Sequence, residues 1–142
     1  MFELSATQKQ LQANACEFAK KEIAPRAAEV DRTEKYPWKN VELLTNQGFM
    51  GMTIPKAYGG KGMTYLDTIL VIEEIAKACG VTARIVVEAN MGAIGAVMKY
   101  GTEVQKKLAA EHVLSGDKPA ICITEPGAGT AATEMTTRAD HK

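Results

Sequence analysis

Ten residues near the end of the chain hold its densest chemistry: Ile121-Cys122-Ile123-Thr124-Glu125-Pro126-Gly127-Ala128-Gly129-Thr130. Ala120, Ile121, Cys122 and Ile123 suit a short buried strand, and Pro126, Gly127 and Gly129 stop it. Glycine accepts positive φ and lets a ligand approach, because no Cβ stands in the way. Amides in such a turn can point outward together and hold phosphate or polar ring atoms. Thr124 and Thr130 add a hydroxyl at either end. As chemistry, the segment is a candidate anion- or cofactor-binding turn. As structure alone, it is a surface turn after an edge strand.

Arg84 is the second candidate, set between Ala83 and Ile85-Val86-Val87 in an apolar stretch. A guanidinium is costly to bury without an anion, and its planar fork suits a carboxylate or sulfinate held at two points. The bland reading pairs Arg84 with Glu88, four residues on along a helix. Glu88 and Asn90 are polar in the same stretch and need partners if buried. Glu73-Glu74 resembles a catalytic pair on paper, but neighbours on a helix point apart, so one faces the bundle and the other solvent. His112 and His141 lack the company of metal ligands. Gly59–Gly62 lacks the Lys-Ser/Thr ending of a P-loop. The methionines and Trp38 read as packing.

These groups must be positioned by helices. Ser5 with Gln8 three residues later opens the first in a capping-box pattern. Leu11, Ala15, Phe18 and Ala19 form its stripe, and Pro25 kinks or divides it. Pro37 starts a second helix that Gly48 ends. Residues 49–62, with Gly51, Gly59, Gly60, Gly62 and Pro55, form a loop. Thr64 or Tyr65 opens a third helix, closed by Gly80 after Cys79. Val81–Tyr100 reads as one helical segment, apolar nearly all round and therefore core. Thr102, with Gln105, caps a fifth that ends at Ser115-Gly116. The fold class is mainly α: a bundle of five or six helices, then a first strand.

The bulk composition narrows the classes. The 142 residues balance 17 basic against 17 acidic side chains, so no charge excess favours nucleic acid or an anionic membrane. No apolar run is read as reaching the about 20 residues that span a bilayer. The N-terminus lacks the pattern of a secretory signal or transit peptide. Cys16, Cys79 and Cys122 are widely spaced, in apolar surroundings, and odd in number, which suits reduced core thiols of a cytoplasmic protein.

The run from Ala120 to Thr130 resembles the flavin-binding signature of the acyl-CoA dehydrogenase superfamily, Thr-Glu-Pro-Gly-Ala-Gly-Ser-Asp. Further stretches agree in the family's order. Gly48-Phe49-Met50-Gly51-Met52-Thr53-Ile54-Pro55 and Tyr58-Gly59-Gly60-Lys61-Gly62 resemble its loop after the second helix. Lys99-Tyr100-Gly101-Thr102-Glu103, Gln105-Lys106-Lys107 and Leu114-Ser115-Gly116-Asp117-Lys118 resemble its last helix before the sheet domain. One position departs: Ala131 stands where the family has Asp, so the hydroxyl of the signature is kept and the carboxylate is lost.

The resemblance implies a helical N-terminal domain over 1–118 and, from 119 to 142, the start of a flavin-binding, β-barrel-like domain whose remainder is not in this chain. It implies FAD as cofactor. Ile121, Cys122, Ile123 and Thr124 would lie along the flavin ring. Gly127, Gly129 and Thr130 would lie near its pyrophosphate and the CoA thioester arm, which makes Thr130 a substrate contact as well. It implies an acyl-CoA substrate, α,β-dehydrogenation, and a homotetrameric parent. The proton-abstracting carboxylate falls in the later part, so no catalytic residue is assigned here and the chain alone is expected to be inactive. Members acting on acyl groups that end in an anion, glutaryl-CoA dehydrogenases and 3-sulfinopropionyl-CoA desulfinases, carry an arginine near the position of Arg84. Desulfination is the alternative chemistry, and a non-catalytic helical interaction module is the second alternative.

Overall fold

Three of the helix starts are fixed by reciprocal caps. In the computed structural model, which describes residues 3–117 and 120–140, α1 (Ala6–Phe18) opens with the Ser5–Gln8 capping box. α4 (Tyr65–Ala78) opens with Thr64–Asp67, and α7 (Glu103–Leu114) with Thr102–Gln105. In each, one side chain accepts from a backbone N–H and the other returns the bond, satisfying donors the helix cannot pair itself.

Pro25 acts upstream of its own position. α1 runs into a π turn, Ala19–Ile23, in which the Ala24 N–H reaches Ala19 O, and Pro25 sits in the first turn of α2 (Ala24–Thr33). The wider turn relieves the clash of the ring with the preceding carbonyls, so the rod is divided by a π turn without ending. α3 (Trp38–Gln47) follows Pro37 and stops at Gly48, whose φ of 73° is the left-handed value a helix end requires. Residues 49–64 form the expected loop, tightened by a short 3₁₀ turn at Lys56–Tyr58.

The apolar stretch from 81 to 100 is not one helix. α5 (Gly80–Asn90) and α6 (Gly92–Tyr100) are separated at Met91, whose φ of −124° and ψ of −103° leave the helical region. Gly80 opens α5 instead of closing α4; extended Cys79 makes that junction. Asn90 is fully buried and ties the break to the loop. Its Nδ2 donates to Phe49 O and Val86 O, each at 2.8 Å, and its carbonyl accepts from Thr53 Oγ1 at 2.5 Å. By length and composition Gly80–Tyr100, at 21 residues, is apolar enough to cross a membrane, which corrects the sequence expectation. Here it is a broken core rod carrying Arg84 and Glu88, with Val86, Ala89 and Asn90 fully buried.

α1, the π turn and α5 pack against α4, and the loop folds into the same core through Phe49, Met52 and Ile54. Phe18 and Phe49 meet edge to face at 5.4 Å. Three further expectations fail. Among the described residues no strand forms at 120–123, and Ile121 and Ile123 are about half exposed. A strand needs hydrogen-bonding neighbours, and among the described residues none pairs with this segment. Cys122 is exposed and Cys16 intermediate, so only Cys79 is a core thiol. Trp38 is largely exposed and leans on Tyr36 at 4.6 Å rather than anchoring the core.

Candidate functional site

α5 brings the first candidate group into place. Helical spacing aligns Arg84 with Glu88, and an Arg84 Nη2–Glu88 Oε1 ion pair forms. The partners differ sharply in environment: the Arg84 side chain is 71% exposed, whereas that of Glu88 is 11% exposed. The cost of burial therefore falls on the carboxylate. Glu88 Oε2 is buried and, among the described residues, has no hydrogen-bond partner. Arg84 Nε and Nη1 make no hydrogen bond there either, so most of the guanidinium's five donors remain free.

Gly92 joins this pair to the second candidate. A Cβ built on Gly92 would stand 2.9 Å from Glu88 Oε2 and 3.3 Å from Ile121 Cδ1. Glu88 and Ile121 thus meet over the first residue of α6, in space that a side chain on Gly92 would fill. The fold brings the proposed anion-binding arm and the start of the proposed cofactor segment to one junction, α5–α6.

Beyond Ile121 the segment stays open. Cys122, Ile123 and Thr124 are exposed, and among the described residues neither the backbone of 121–124 nor the Thr124 hydroxyl is hydrogen-bonded. The turn is closed by Glu125 N to Ala128 O at 3.1 Å and Ala128 N to Glu125 O at 3.0 Å. Gly127 and Gly129 look onto open space, with nothing within 4 Å of where a Cβ would stand. Thr130 is exposed, and its carbonyl accepts from Ala132 N at 3.0 Å. Donors and empty space suit a polar ligand lying along 121–130.

Glu125 is the residue that sequence reasoning missed. Its carboxylate accepts from Thr136 N at 2.5 Å, Thr136 Oγ1 at 3.0 Å and Thr137 N at 3.0 Å, and also from Thr137 Oγ1. Hydrogen bonds to the ionised form, the Thr137 hydroxyl first among them, hold this carboxyl down at about 2. The clasp ties the turn to the segment after it. The Thr136-Thr137 pair was the available signal.

Other candidates resolve as structure. Glu74 is buried, and Lys77 at 2.7 Å lowers its pKa, while Glu73 points to solvent. His112 is exposed, 3.5 Å from Asp117. An open apolar groove of about 800 Å³ runs between α6 and α7 past Tyr100, Leu108 and His112, on residues other than those of the candidate site. His141 lies outside the described residues.

Residues 5–117 match the N-terminal domain of the acyl-CoA dehydrogenase family. Over all 142 residues the chain is 63% identical to a 3-sulfinopropanoyl-CoA desulfinase of Variovorax paradoxus and 65% identical to one of Cupriavidus necator. It covers 36% of each, so it spans about a third of their length. Among solved structures, a glutaryl-coenzyme A dehydrogenase in complex with glutaryl-CoA superposes with a TM-score of 0.87 at 30% identity, over 95% of this chain and 35% of that one.

Proposed function

The chain belongs to the acyl-CoA dehydrogenase family, and we propose that it is the N-terminal part of an FAD-dependent enzyme that desulfinates a short acyl-CoA, 3-sulfinopropionyl-CoA, to propionyl-CoA and sulfite. The observation that carries this reading is the convergence of the Arg84–Glu88 pair and Ile121 over Gly92. The higher identity to desulfinases than to the glutaryl-CoA dehydrogenase supports it.

Arg84 offers an exposed guanidinium with donors to spare, matched to a terminal sulfinate in two-point contact. In the reaction the carbon–sulfur bond breaks and its electron pair stays on carbon, which takes a proton. Sulfur leaves as sulfur dioxide, which water converts to sulfite. The balance needs no external oxidant. The residues of the open turn fit FAD: unpaired amides and the Thr124 hydroxyl along 121–124, then a glycine turn clear of side chains. In dehydrogenating members of the family FAD supplies a ring that accepts hydride. Ile121, Cys122, Ile123, Thr124, Gly127, Gly129 and Thr130 would hold it here, with Thr130 also facing the CoA arm. Ala131 supplies no carboxylate beside it, so the pairing groups there are the hydroxyl and amides alone.

In this reading the helical domain covers 1–118 and the flavin-binding domain starts at 119; Lys118 and Pro119 themselves lie outside the described residues. The whole protein is a homotetramer in the cytoplasm with acyl-CoA as its ligand, and neither nucleic acid nor membrane is a partner. Dehydrogenation of an anionic acyl-CoA is the second reading, favoured by the likeness to the glutaryl-CoA complex. The whole protein, purified with its flavin, separates the two. Sulfite released from 3-sulfinopropionyl-CoA with the yellow colour unchanged supports desulfination. Bleaching by glutaryl-CoA without sulfite release supports dehydrogenation, and a colourless protein sinks both.

A further inference from the structure

The ion pair on α5 is lopsided in a way that a surface pair is not. An exposed helix pair contributes little, and either partner can leave it for water. Glu88 cannot: it is buried, one oxygen meets Arg84, and the other faces Gly92 without a donor. A carboxylate so placed costs stability, and a purely structural need at the site would be met better by an apolar side chain. What the arrangement does provide is a buried anchor for an exposed cation. Left alone, a side chain 71% exposed samples many rotamers, and ordering it on a ligand carries an entropic cost. Glu88 takes Nη2 and leaves Nε and Nη1 free.

The geometry points to Glu88 as a positioning residue that holds the Arg84 guanidinium toward the terminal anion of the acyl group, so that the pair, not Arg84 alone, sets the preference for anionic over neutral acyl chains. This rests on the reading of Arg84 given above. Two effects oppose each other. Glu88 pre-orders the fork, which favours the anion, and its own charge repels the anion. Because Oε1 is already engaged by Arg84 and Oε2 is buried against Gly92, away from solvent, the ordering wins.

Equilibrium titration of the whole flavin-loaded protein tests it, with two probes of equal chain length: succinyl-CoA, which ends in a carboxylate, and butyryl-CoA, which ends in a methyl group. Glu88→Gln keeps the shape and removes the charge. It is expected to lower the succinyl/butyryl affinity ratio about tenfold, roughly one charge-assisted hydrogen bond, with butyryl-CoA affinity and flavin content unchanged. The Arg84→Gln, Glu88→Gln double variant should be no less selective than Arg84→Gln alone, since Glu88 acts through Arg84. An unchanged or raised ratio in Glu88→Gln, or an equal loss for both probes, overturns the positioning role. If Arg84→Gln itself leaves the ratio unaltered, the substrate reading of Arg84 fails first. A ratio lost in Arg84→Gln but kept in Glu88→Gln removes only the role of Glu88.

Discussion

Replacing Asn90 with Ala should unfasten the joint that sets α5 against α6. Asn90 is fully buried. Its Nδ2 is the donor to Phe49 O at 2.8 Å, and its Oδ1 faces Thr53 N at a long 3.4 Å. Among the described residues Phe49 O has no other donor, and Phe49 keeps 3% of its surface, so water does not replace the bond. One lost hydrogen bond costs about 1 kcal/mol and one buried orphan carbonyl a further 1–3 kcal/mol or so. A total near 3 kcal/mol is a large part of the roughly 5–15 kcal/mol that holds a domain together. With a urea slope of about 1.5 kcal/mol/M for a small domain, the midpoint should fall by about 2 M. Far-ultraviolet circular dichroism of the 142-residue chain in urea reads this directly. Asn90→Asp is the sharper control, because it keeps the volume and the acceptor but removes the donor and sets charge against Phe49 O. It should be at least as damaging as Ala. An Asp variant within about 1 kcal/mol of the parent would refute the argument that donation to Phe49 O holds the joint.

Glycines give a paired prediction. At Gly60 a Cβ would lie 2.1 Å from Ile54 O, so Gly60→Ala must move backbone and should cost more than about 3 kcal/mol. At Gly80 a Cβ meets nothing within 4 Å, so Gly80→Ala should be neutral or stabilise α5 by up to about 1 kcal/mol; melting curves that reverse this order contradict the packing described. Glu125 gives a pH dependence. Its folded pKa is depressed from 4.5 to about 2, so the clasp to Thr136 and Thr137 is complete above pH 4.5 and fades as pH falls toward 2. A carboxyl ¹³C titration of Glu125 centred near the ordinary value would show the clasp to be absent, and Glu125→Gln should speed amide exchange at 136–137 at neutral pH.

Local signals in the sequence carried the helices well. Ser5/Gln8 and Thr102/Gln105 are caps in the structure, Gly48 is a left-handed stop, and Pro25 follows a π turn that divides its rod. What was not legible depends on contacts between distant residues. The break at Met91 follows from Asn90 reaching back to Phe49 and Thr53, 41 and 37 positions away, and nothing in the apolar run around it changes period. The strand over 120–123 was read from composition, yet a strand exists only with a neighbour. Cys122 and Trp38 were assigned to the core by type, and apolar types are often exposed on a small domain. At the site, Arg84 and the glycine turn were visible as residue types. The junction over Gly92 and the clasp at Glu125 appeared only when the chain was folded.

The central claim is that Arg84 receives the terminal anion of a short acyl-CoA in a desulfinating enzyme. The most direct test is sulfite release from 3-sulfinopropionyl-CoA by the whole protein and its Arg84→Gln variant, with butyryl-CoA affinity measured on both. The account predicts sulfite release by the parent. In the variant kcat/KM should fall about a hundredfold, the loss of a two-point charge-assisted contact, with butyryl-CoA affinity unchanged. Equal kcat/KM in parent and variant, or no sulfite from the flavin-loaded parent, would contradict it.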